Sequence, residues 1–466
     1  MPKCLWILTE ERPKHEVIGN LLNRFVELQG IAAFFDTLRI IPILNESANF
    51  ASTYQILGFS SPAVSEVLLK VVSGNSSFVD YLIYFQEEEP TPIQRPLFVV
   101  EETKTDDAES RNTGVFQRAT KFVYIDVHYP GIKSVMLYNL QIEQKKSPTD
   151  TNVFGTRCLR TLGVELAGKT DSKKSATAFS SVNELIDLKA AMRKPPAGNV
   201  PILITKENKD RITVSGRLFK AGGLAHDPNI GALSLISATL RKLGWKGKID
   251  ITKHGLEQSQ VRSSNKFVQI ANHLDLGLDG LKVPKATFPE EYWRYETTGE
   301  KLGTIFLHLV VEEFSHGFSI YENHAGCERG YFRNGKGELI QIGKRLLSED
   351  GAMPKDAEIV ALPDLILIDP KRLEVINVEG ERAVNVQAGI QQLKTFTNIE
   401  NAYVRPNYPG FKILRTVVLY GGQLGTIENV EVSLLVNSSG KIVLGIKAPR
   451  LFHDSITNLI SYWKRL

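Results

Sequence analysis

The sequence predicts an α/β protein with two mixed-sheet cores and a middle region between them. Runs of β-branched and aromatic residues pair across short polar turns, which is typical of antiparallel strand pairs. Each pair is followed by a helical stretch and a further strand, and this order occurs near both ends of the 466-residue chain. A chain of this length is sufficient for two or three domains.

The N-terminal part supplies the first set of elements. Apolar residues at spacings of three and four predict a helix over 14–35, and Pro62 suits the first turn of a second helix over 61–72. The β-branched and aromatic runs 78–85 and 96–105 predict two strands of a hairpin, joined by the polar turn 87–92. A helix over 114–122 and a strand over 134–140 follow.

The middle part is expected to contain one well-delimited helix. Asp227 can cap it, Pro228 fits its first turn, and Gly244 can end it. Between them the apolar residues form one stripe, which predicts one buried face. The surrounding residues are the most basic in the chain and indicate either a DNA-facing surface or an ordinary solvated one; they are Lys220, Arg241, Lys242, Lys246, Lys248 and Lys253.

The C-terminal part repeats the first set. Strands are predicted over 362–368, 373–378 and 416–420, with a helix over 388–396. Four blocks agree in order between the two parts. Asp80 corresponds to Asp364, Glu102-Thr103-Lys104 to Glu379-Gly380-Glu381, and Gln117 to Gln392. The motif Tyr-Pro-Gly-x-Lys follows in both parts, and its lysine is Lys133 in the first and Lys412 in the second. We interpret this as two copies of one core, a pseudo-dimer in a single chain; chance similarity of two α/β segments is the alternative.

The paired carboxylates predict a cation site. Residues two apart share one face of a strand, so Glu102 and Lys104 are expected to point together and Glu101 away from them. Asp80, on the neighbouring strand, is expected to face Glu102. Two converging carboxylates favour a hard divalent cation such as Mg²⁺, which can activate a water molecule and polarise a phosphoryl oxygen.

This arrangement resembles the PD-(D/E)XK nuclease superfamily, which includes type II restriction endonucleases. The first copy departs from the family pattern at Val79, where a proline is usual, and the second at Glu381, where a lysine is usual. The resemblance implies a Mg²⁺-dependent, sequence-specific endonuclease that hydrolyses double-stranded DNA. It implies catalytic roles for Asp80, Glu102, Lys104, Gln117, Asp364, Glu379 and Glu381. It implies that the metal ligands are Asp80, Glu102, Asp364 and Glu379.

The expected organisation follows from this resemblance. Segment 1–193 is expected to be a nuclease core, 194–340 a region for DNA recognition, and 341–466 a nuclease-like core. Such a chain could cut both strands as a monomer or act as a homodimer, and the resemblance implies a cognate DNA methyltransferase. Two other hypotheses remain: a structure-specific repair nuclease and a non-catalytic DNA-binding protein.

Composition excludes several other classes. The net charge is only +4, which permits a polyanionic partner without requiring one. Three scattered cysteines, with no CxxC pair, indicate neither a disulfide framework nor a cysteine zinc site, and we expect a cytoplasmic protein without a membrane segment. No phosphate-binding loop is present. His316, His324 and Cys327 lack a fourth ligand at suitable spacing, so we expect them to be ordinary polar surface.

Overall fold

The chain forms two compact units, each assembled from separate segments. The computed structural model describes residues 2–74, 77–103, 114–138, 149–168, 172–192, 201–220, 223–224, 229–288, 291–297, 299–324, 331–342, 361–423 and 427–465. Unit 1 comprises Met1–Ser73, Phe85–Pro90 and Arg294–Leu466, and unit 2 comprises Gly74–Tyr84 and Thr91–Trp293. These boundaries differ from those of the three segments expected from the sequence, whose roles stay a prediction.

The strands and helices have the following bounds. The strands are β1 (Lys3–Thr9), β2 (Phe34–Leu44), β3 (Phe50–Ser60), β4 (Val64–Gly74), β5 (Tyr81–Gln86), β6 (Phe98–Thr103), β7 (Ser134–Tyr138), β8 (Glu165–Ala167), β9 (Leu203–Lys206), β10 (Arg211–Ser215), β11 (Phe219–Lys220), β12 (Gly223–Leu224), β13 (Lys248–Thr252), β14 (Leu276–Leu278), β15 (Trp293–Tyr295), β16 (Phe318–Glu322), β17 (Tyr331–Arg333), β18 (Leu339–Gln341), β19 (Leu365–Asp369), β20 (Glu374–Arg382), β21 (Lys412–Tyr420), β22 (Val432–Val436) and β23 (Ile442–Leu444). The helices are α1 (His15–Gln29), α2 (Gly114–His128), α3 (Asp150–Leu162), α4 (Val182–Ala191), α5 (Asn229–Lys242), α6 (Lys266–His273), α7 (Lys301–Phe314), α8 (Val386–Gln392), α9 (Thr397–Ile399), α10 (Arg405–Asn407) and α11 (Arg450–Trp463).

In unit 1, the N-terminal strands form a sheet in the order β2-β3-β4-β1. The helix predicted over 61–72 is wrong, because this stretch is the strand β4 (Val64–Gly74). Pro62 precedes the strand, and β-branched Val67, Val71 and Val72 favour an extended conformation. β4 pairs in parallel with β1 and antiparallel with β3, so both of its edges form backbone hydrogen bonds. Predicted helix 14–35 is present as the shorter α1, which ends at Gly30 in the left-handed conformation.

The second sheet of unit 1 has the order β16-β19-β20-β21-β22-β23. β19 and β20 are antiparallel, whereas β20 and β21 are parallel, so the chain between them crosses over through α8 and the following short helices. A cluster of buried apolar residues that includes Ile366, Phe396 and Val417 forms the core beneath this crossover. The strand and helix order predicted for the C-terminal part is therefore confirmed.

Unit 2 has the same succession of elements. β5 and β6 are antiparallel, β6 and β7 are parallel, and α2 connects them. The mixed α/β class predicted from the sequence is therefore confirmed. A further sheet of unit 2 has the order β14-β13-β10-β9. None of the helices in the described ranges has the length and apolar character needed to cross a bilayer.

Helix α5 of unit 2 is buried along its length, not only on one apolar face. Every residue from Ile230 to Leu240 is buried, including Ser234 and Thr239. These two hydroxyls donate to the carbonyls of Ile230 and Leu235, one turn earlier, which satisfies them inside the core. A Cβ added at Gly231 would lie 2.3 Å from the Phe116 carbonyl oxygen, so only glycine allows α5 to approach α2 this closely. The predicted cap residues Asp227 and Pro228 lie outside the described residues.

Candidate metal centres

The first acidic cluster is built at the start of β5 in unit 2. Buried Tyr292 fixes the approach to this strand, because its hydroxyl donates to the Ser77 carbonyl and accepts from the Val79 N–H, each over 3.0 Å. Tyr81 lies opposite Val100 in the β5–β6 ladder, and extending this register by one residue brings Asp80 opposite Glu101. The Asp80 N–H donates to Glu101 Oε2 over 3.3 Å.

The Lys121 ammonium lies between these two carboxylates. Its Nζ lies 3.0 Å from Asp80 Oδ1 and 2.7 Å from Glu101 Oε1. Burial lowers the pKa of Lys121, but the charges of Asp80 and Glu101 outweigh this effect and the net shift is upward. The lysine is therefore a charged counterion between two acidic residues, supplied by α2 from a position that the sequence analysis did not single out.

The expectation that Asp80 faces Glu102 is wrong in register. Glu102 contacts Asp80 through its backbone N–H, which donates to Oδ2 over 2.7 Å. Because side chains alternate along a strand, Glu101 shares a face with Thr103, and the Glu102 side chain lies on the other face. Lys104 and the side chain of Gln117 lie outside the described residues, so their catalytic roles stay predictions.

The second acidic cluster lies at the corresponding place in unit 1. Leu365 pairs with Val378 in the β19–β20 ladder, which brings Asp364 opposite Glu379. The Gly380 N–H donates to Asp364 Oδ2 over 2.8 Å. The Asn323 N–H donates to the Asp364 carbonyl over 2.7 Å and fixes the backbone at the start of the strand.

These contacts revise the alignment of the two segments by one residue. In each segment the aspartate faces a glutamate and accepts from the N–H of the residue after that glutamate, which is Glu102 in one segment and Gly380 in the other. Glu101 therefore corresponds to Glu379, and Thr103 to Glu381. In sequence, Glu102 matches Glu379, because Glu-x-Lys and Glu-x-Glu look alike when the ladder register is unknown.

The second cluster brings several acidic groups together in a buried place. Burial raises the pKa of Asp364 to about 7, and the charges of Glu300 and Glu381 add to this shift. Burial and the charges of Asp364 and Glu381 raise the pKa of Glu379 to about 9. Burial and Glu300 also raise the pKa of Glu381. Raised pKa values of this kind follow from burial together with neighbouring like charges. They are not confined to this cluster, because burial and the charge of Asp80 also raise the pKa of Glu101, despite its contact with Lys121.

The second cluster contains carboxylate oxygens of the type that bind divalent cations, but its three side chains do not bring their oxygens together as closely as His308, Glu322 and His324 do, whose ligand atoms lie within 4.8 Å of one another. Glu379 and Glu381 are only 5% and 8% exposed, and one carboxylate oxygen of each, Oε2, is buried without a hydrogen-bond partner among the described residues. Within the same part of the chain, Asp364, Glu379 and Glu381 form no ion pair. Oxygen atoms in this state are suitable ligands for Mg²⁺. The first cluster differs, because the Lys121 ammonium already lies between its carboxylates.

The basic residues of the middle part have different roles. Arg241 donates to four backbone carbonyls, those of Leu274, Trp245, Gly247 and Asp275. Its role is therefore structural. Four lysines remain exposed, so DNA contact stays a prediction for them; they are Lys242, Lys246, Lys248 and Lys253. The side chain of Lys220 lies outside the described residues.

The expectation that His324 is ordinary polar surface is wrong. His324 is buried and hydrogen-bonded to His308, which lies on the largely buried helix α7. Of the two residues grouped with it, His316 is exposed and Cys327 lies outside the described residues.

Comparisons with other proteins add no relative: no family model, no curated protein and no solved structure matches this chain.

Proposed function

We propose that this protein is a Mg²⁺-dependent nuclease of the PD-(D/E)XK type that hydrolyses phosphodiester bonds of double-stranded DNA. The observation that carries the proposal is the second acidic cluster. Asp364 and Glu379 face each other on antiparallel strands, with Glu381 on the same face of β20, and buried carboxylate oxygens there have no hydrogen-bond partner in the described chain. The elements β19, β20, α8 and β21 supply the strand and helix order that the resemblance implies.

In this proposal, Asp364, Glu379 and Glu381 hold the cation. A bound Mg²⁺ would polarise a phosphoryl oxygen and lower the pKa of a water molecule. The residues of the chain fix the carboxylates: the Gly380 N–H orients Asp364, and the β19–β20 ladder brings Glu379 opposite it. Burial and the neighbouring carboxylates raise the pKa of Glu379 to about 9, so a cation bound there would displace a proton.

The first cluster is proposed as the paired copy of a pseudo-dimer. Asp80 and Glu101 take the places of Asp364 and Glu379, and Lys121 is a candidate for the lysine role that the sequence assigned to Lys104. A lysine held between the carboxylates reduces the need of this copy for a metal. We therefore propose that the second cluster binds Mg²⁺ more tightly than the first.

A plasmid assay tests the function. The intact protein should cut supercoiled plasmid DNA into discrete fragments in Mg²⁺ and leave it intact in EDTA. A nuclease that recognises DNA shape would give no discrete bands, and DNA binding without cleavage would favour a non-catalytic protein. Glu379→Gln should abolish cleavage of at least one strand, whereas Glu374→Gln, at the other end of the same strand, should cut normally.

The same assay tests whether each copy cleaves one DNA strand. Lys104→Ala and Lys121→Met separate the two candidate lysines, and each is compared with Glu379→Gln. If each copy serves one strand, a variant in either copy should give nicked circles only. Unchanged double-strand cleavage by Glu379→Gln would show that the second cluster is not catalytic.

A further inference from the structure

Two buried histidines of unit 1 face each other across a short gap. His308 lies on α7, and His324 follows β16. His308 Nδ1 and His324 Nε2 are 2.9 Å apart, and Glu322 Oε2 lies 3.6 Å from the same His308 nitrogen. All three donor atoms lie within 4.8 Å of one another. Ligands of a tetrahedral Zn²⁺ with bonds of about 2.0–2.1 Å are separated by about 3.3 Å, so these spacings are close to those of a metal site.

The outer nitrogen of each histidine is held by another group. His308 Nε2 lies 3.1 Å from Glu312 Oε1, and His324 Nδ1 lies 2.8 Å from Thr304 Oγ1. The Thr304 hydroxyl donates in turn to the Lys301 carbonyl, so it can accept from a His324 Nδ1–H. These contacts turn His308 Nδ1, His324 Nε2 and Glu322 towards a common point. Metal-binding histidines in proteins have this type of outer partner, which fixes the ring and its tautomer.

Positively charged groups lie beside the carboxylates of the cluster. Arg12 Nε lies 2.6 Å from Glu322 Oε2, and Arg12 Nη1 lies 2.8 Å from Glu312 Oε2. Lys14 Nζ is 3.5 Å from Glu322 Oε1. Arg12 and Lys14 thus hold the Glu322 carboxylate in place beside His308.

We propose that His308, His324 and Glu322 bind a transition-metal ion of the Zn²⁺ class, distinct from the Mg²⁺ proposed for the acidic cluster. Two imidazole nitrogens and one carboxylate favour Zn²⁺ over Mg²⁺, which prefers oxygen ligands. Without the ion, the two facing nitrogens require a proton between them, and the metal replaces this proton.

The ion's role is structural, because the cluster is buried and joins two elements. It connects α7 to the end of β16, where Asn323 donates to the Asp364 carbonyl. Thr304 of the same helix contacts the Gly380 region, since a Cβ built at Gly380 would lie 2.6 Å from Thr304 Cγ2. The metal therefore holds in place two groups that support the acidic cluster, without taking part in its chemistry.

Metal analysis of the full-length protein tests the proposal. After incubation with Zn²⁺ alone and gel filtration, the protein should retain about one equivalent of zinc. Zn²⁺ should raise its Tm in the presence of excess Mg²⁺, and Co²⁺ should give the visible absorption of a low-symmetry nitrogen and oxygen site. His308→Ala and His324→Ala should lose the bound zinc, whereas His316→Ala, which changes an exposed histidine outside the cluster, should retain it.

Glu312→Gln provides a milder variant that keeps all three ligands. It should lower zinc affinity about 10–100-fold while leaving the stoichiometry unchanged, because it weakens the orientation of His308. The proposal is overturned if the unmodified protein retains no more zinc than His308→Ala, or if Zn²⁺ and Co²⁺ leave its Tm and absorption unchanged. Because these measurements do not require DNA cleavage, they stand whether or not the protein proves to be a nuclease.

Discussion

Asp80 lies opposite Glu101 on neighbouring antiparallel strands, and Lys121 Nζ lies within 3.0 Å of both carboxylates. The same facing arrangement of aspartate and glutamate occurs in the other unit, where Asp364 lies opposite Glu379 and no lysine of the described residues joins them. The two clusters therefore share a backbone geometry but differ in how their charge is compensated, and this difference makes them separable by experiment.

Lys121→Met should destabilise the protein by about 3 kcal/mol, because it leaves two carboxylates without their counterion in a largely buried place. Chemical denaturation measures this effect. Lys133→Met, at an exposed lysine of the same unit, is the matched control and should change stability by less than about 0.5 kcal/mol. Added Mg²⁺ should restore part of the loss in Lys121→Met. Equal stability of the two variants would contradict the assigned role of Lys121.

The revised register is tested by two neighbouring glutamates. Glu101→Gln removes the carboxylate that pairs with Lys121 and should destabilise the protein clearly in thermal unfolding. Glu102→Gln should have a smaller effect on the cluster, because Glu102 reaches Asp80 through its backbone N–H. The original register predicts the reverse order of the two variants.

The stability of the metal-free protein should fall as the pH rises from about 4 to 9. Unfolded carboxyl groups titrate near pH 4, whereas the folded pKa is about 7 for Asp364 and about 9 for Glu379. The folded state thus binds more protons across this range, and each extra proton costs about 1.4 kcal/mol of stability per pH unit.

Unfolding in EDTA at several pH values checks this prediction. Mg²⁺ should restore stability most strongly at the alkaline end, where the carboxylates are ionised. Glu379→Gln should flatten the pH dependence above pH 7, and Glu374→Gln should not. If the stability of the unmodified protein in EDTA does not change with pH, the pKa values of Asp364 and Glu379 are not raised in the folded state.

Gly380→Ala should destabilise the protein by about 1–3 kcal/mol, because the added methyl group overpacks a filled space. The new Cβ would lie 2.6 Å from Thr304 Cγ2 and 3.1 Å from Asp364 Oδ2. It should also weaken Mg²⁺ binding by displacing Asp364. Gly19→Ala in helix α1 is the control: its nearest neighbour is 3.4 Å away, and alanine favours helices, so it should be neutral or stabilising.

Arg241 and its exposed neighbours should separate into structural and DNA-contacting residues. Arg241→Ala should cost about 2–3 kcal/mol of stability, since it removes the donor from four carbonyls. Lys246→Ala and Lys248→Ala should leave stability unchanged and, if they contact phosphates, each reduce the salt dependence of DNA binding by about one unit of slope. If neither variant changes the salt dependence of DNA binding, these lysines form an ordinary solvated surface.

The order of elements was accessible from sequence because it depends on local patterns. β-branched and aromatic runs predicted the strands on both sides of each turn, and both antiparallel pairs are present. The helix predicted over 61–72 is a strand instead. Pro62 suits the first turn of a helix, but the valines that follow it favour an extended conformation. Pairing with two neighbouring strands, which no local pattern reveals, decides in favour of β4.

The details of the sites depend on register and on distant residues. Alternation shows that Glu101 and Glu102 lie on opposite faces, but only the ladder determines which of them faces Asp80. Lys121 reaches the cluster from the helix that follows β6, and Tyr292 contributes from a segment more than 200 residues beyond the strand it supports. His308 stands among apolar residues of α7, where a buried histidine is indistinguishable in sequence from core packing.

The ammonium group of Lys121 has a consequence for how the protein responds to its surroundings. It is a counterion attached to the chain by covalent bonds, present at fixed stoichiometry and never lost to dilution or chelators. Among the described residues, the cluster at Asp364 and Glu379 has no such attached counterion. Its charge is therefore expected to vary with the protons and cations of the solvent, whereas the positive charge beside Asp80 and Glu101 is constant.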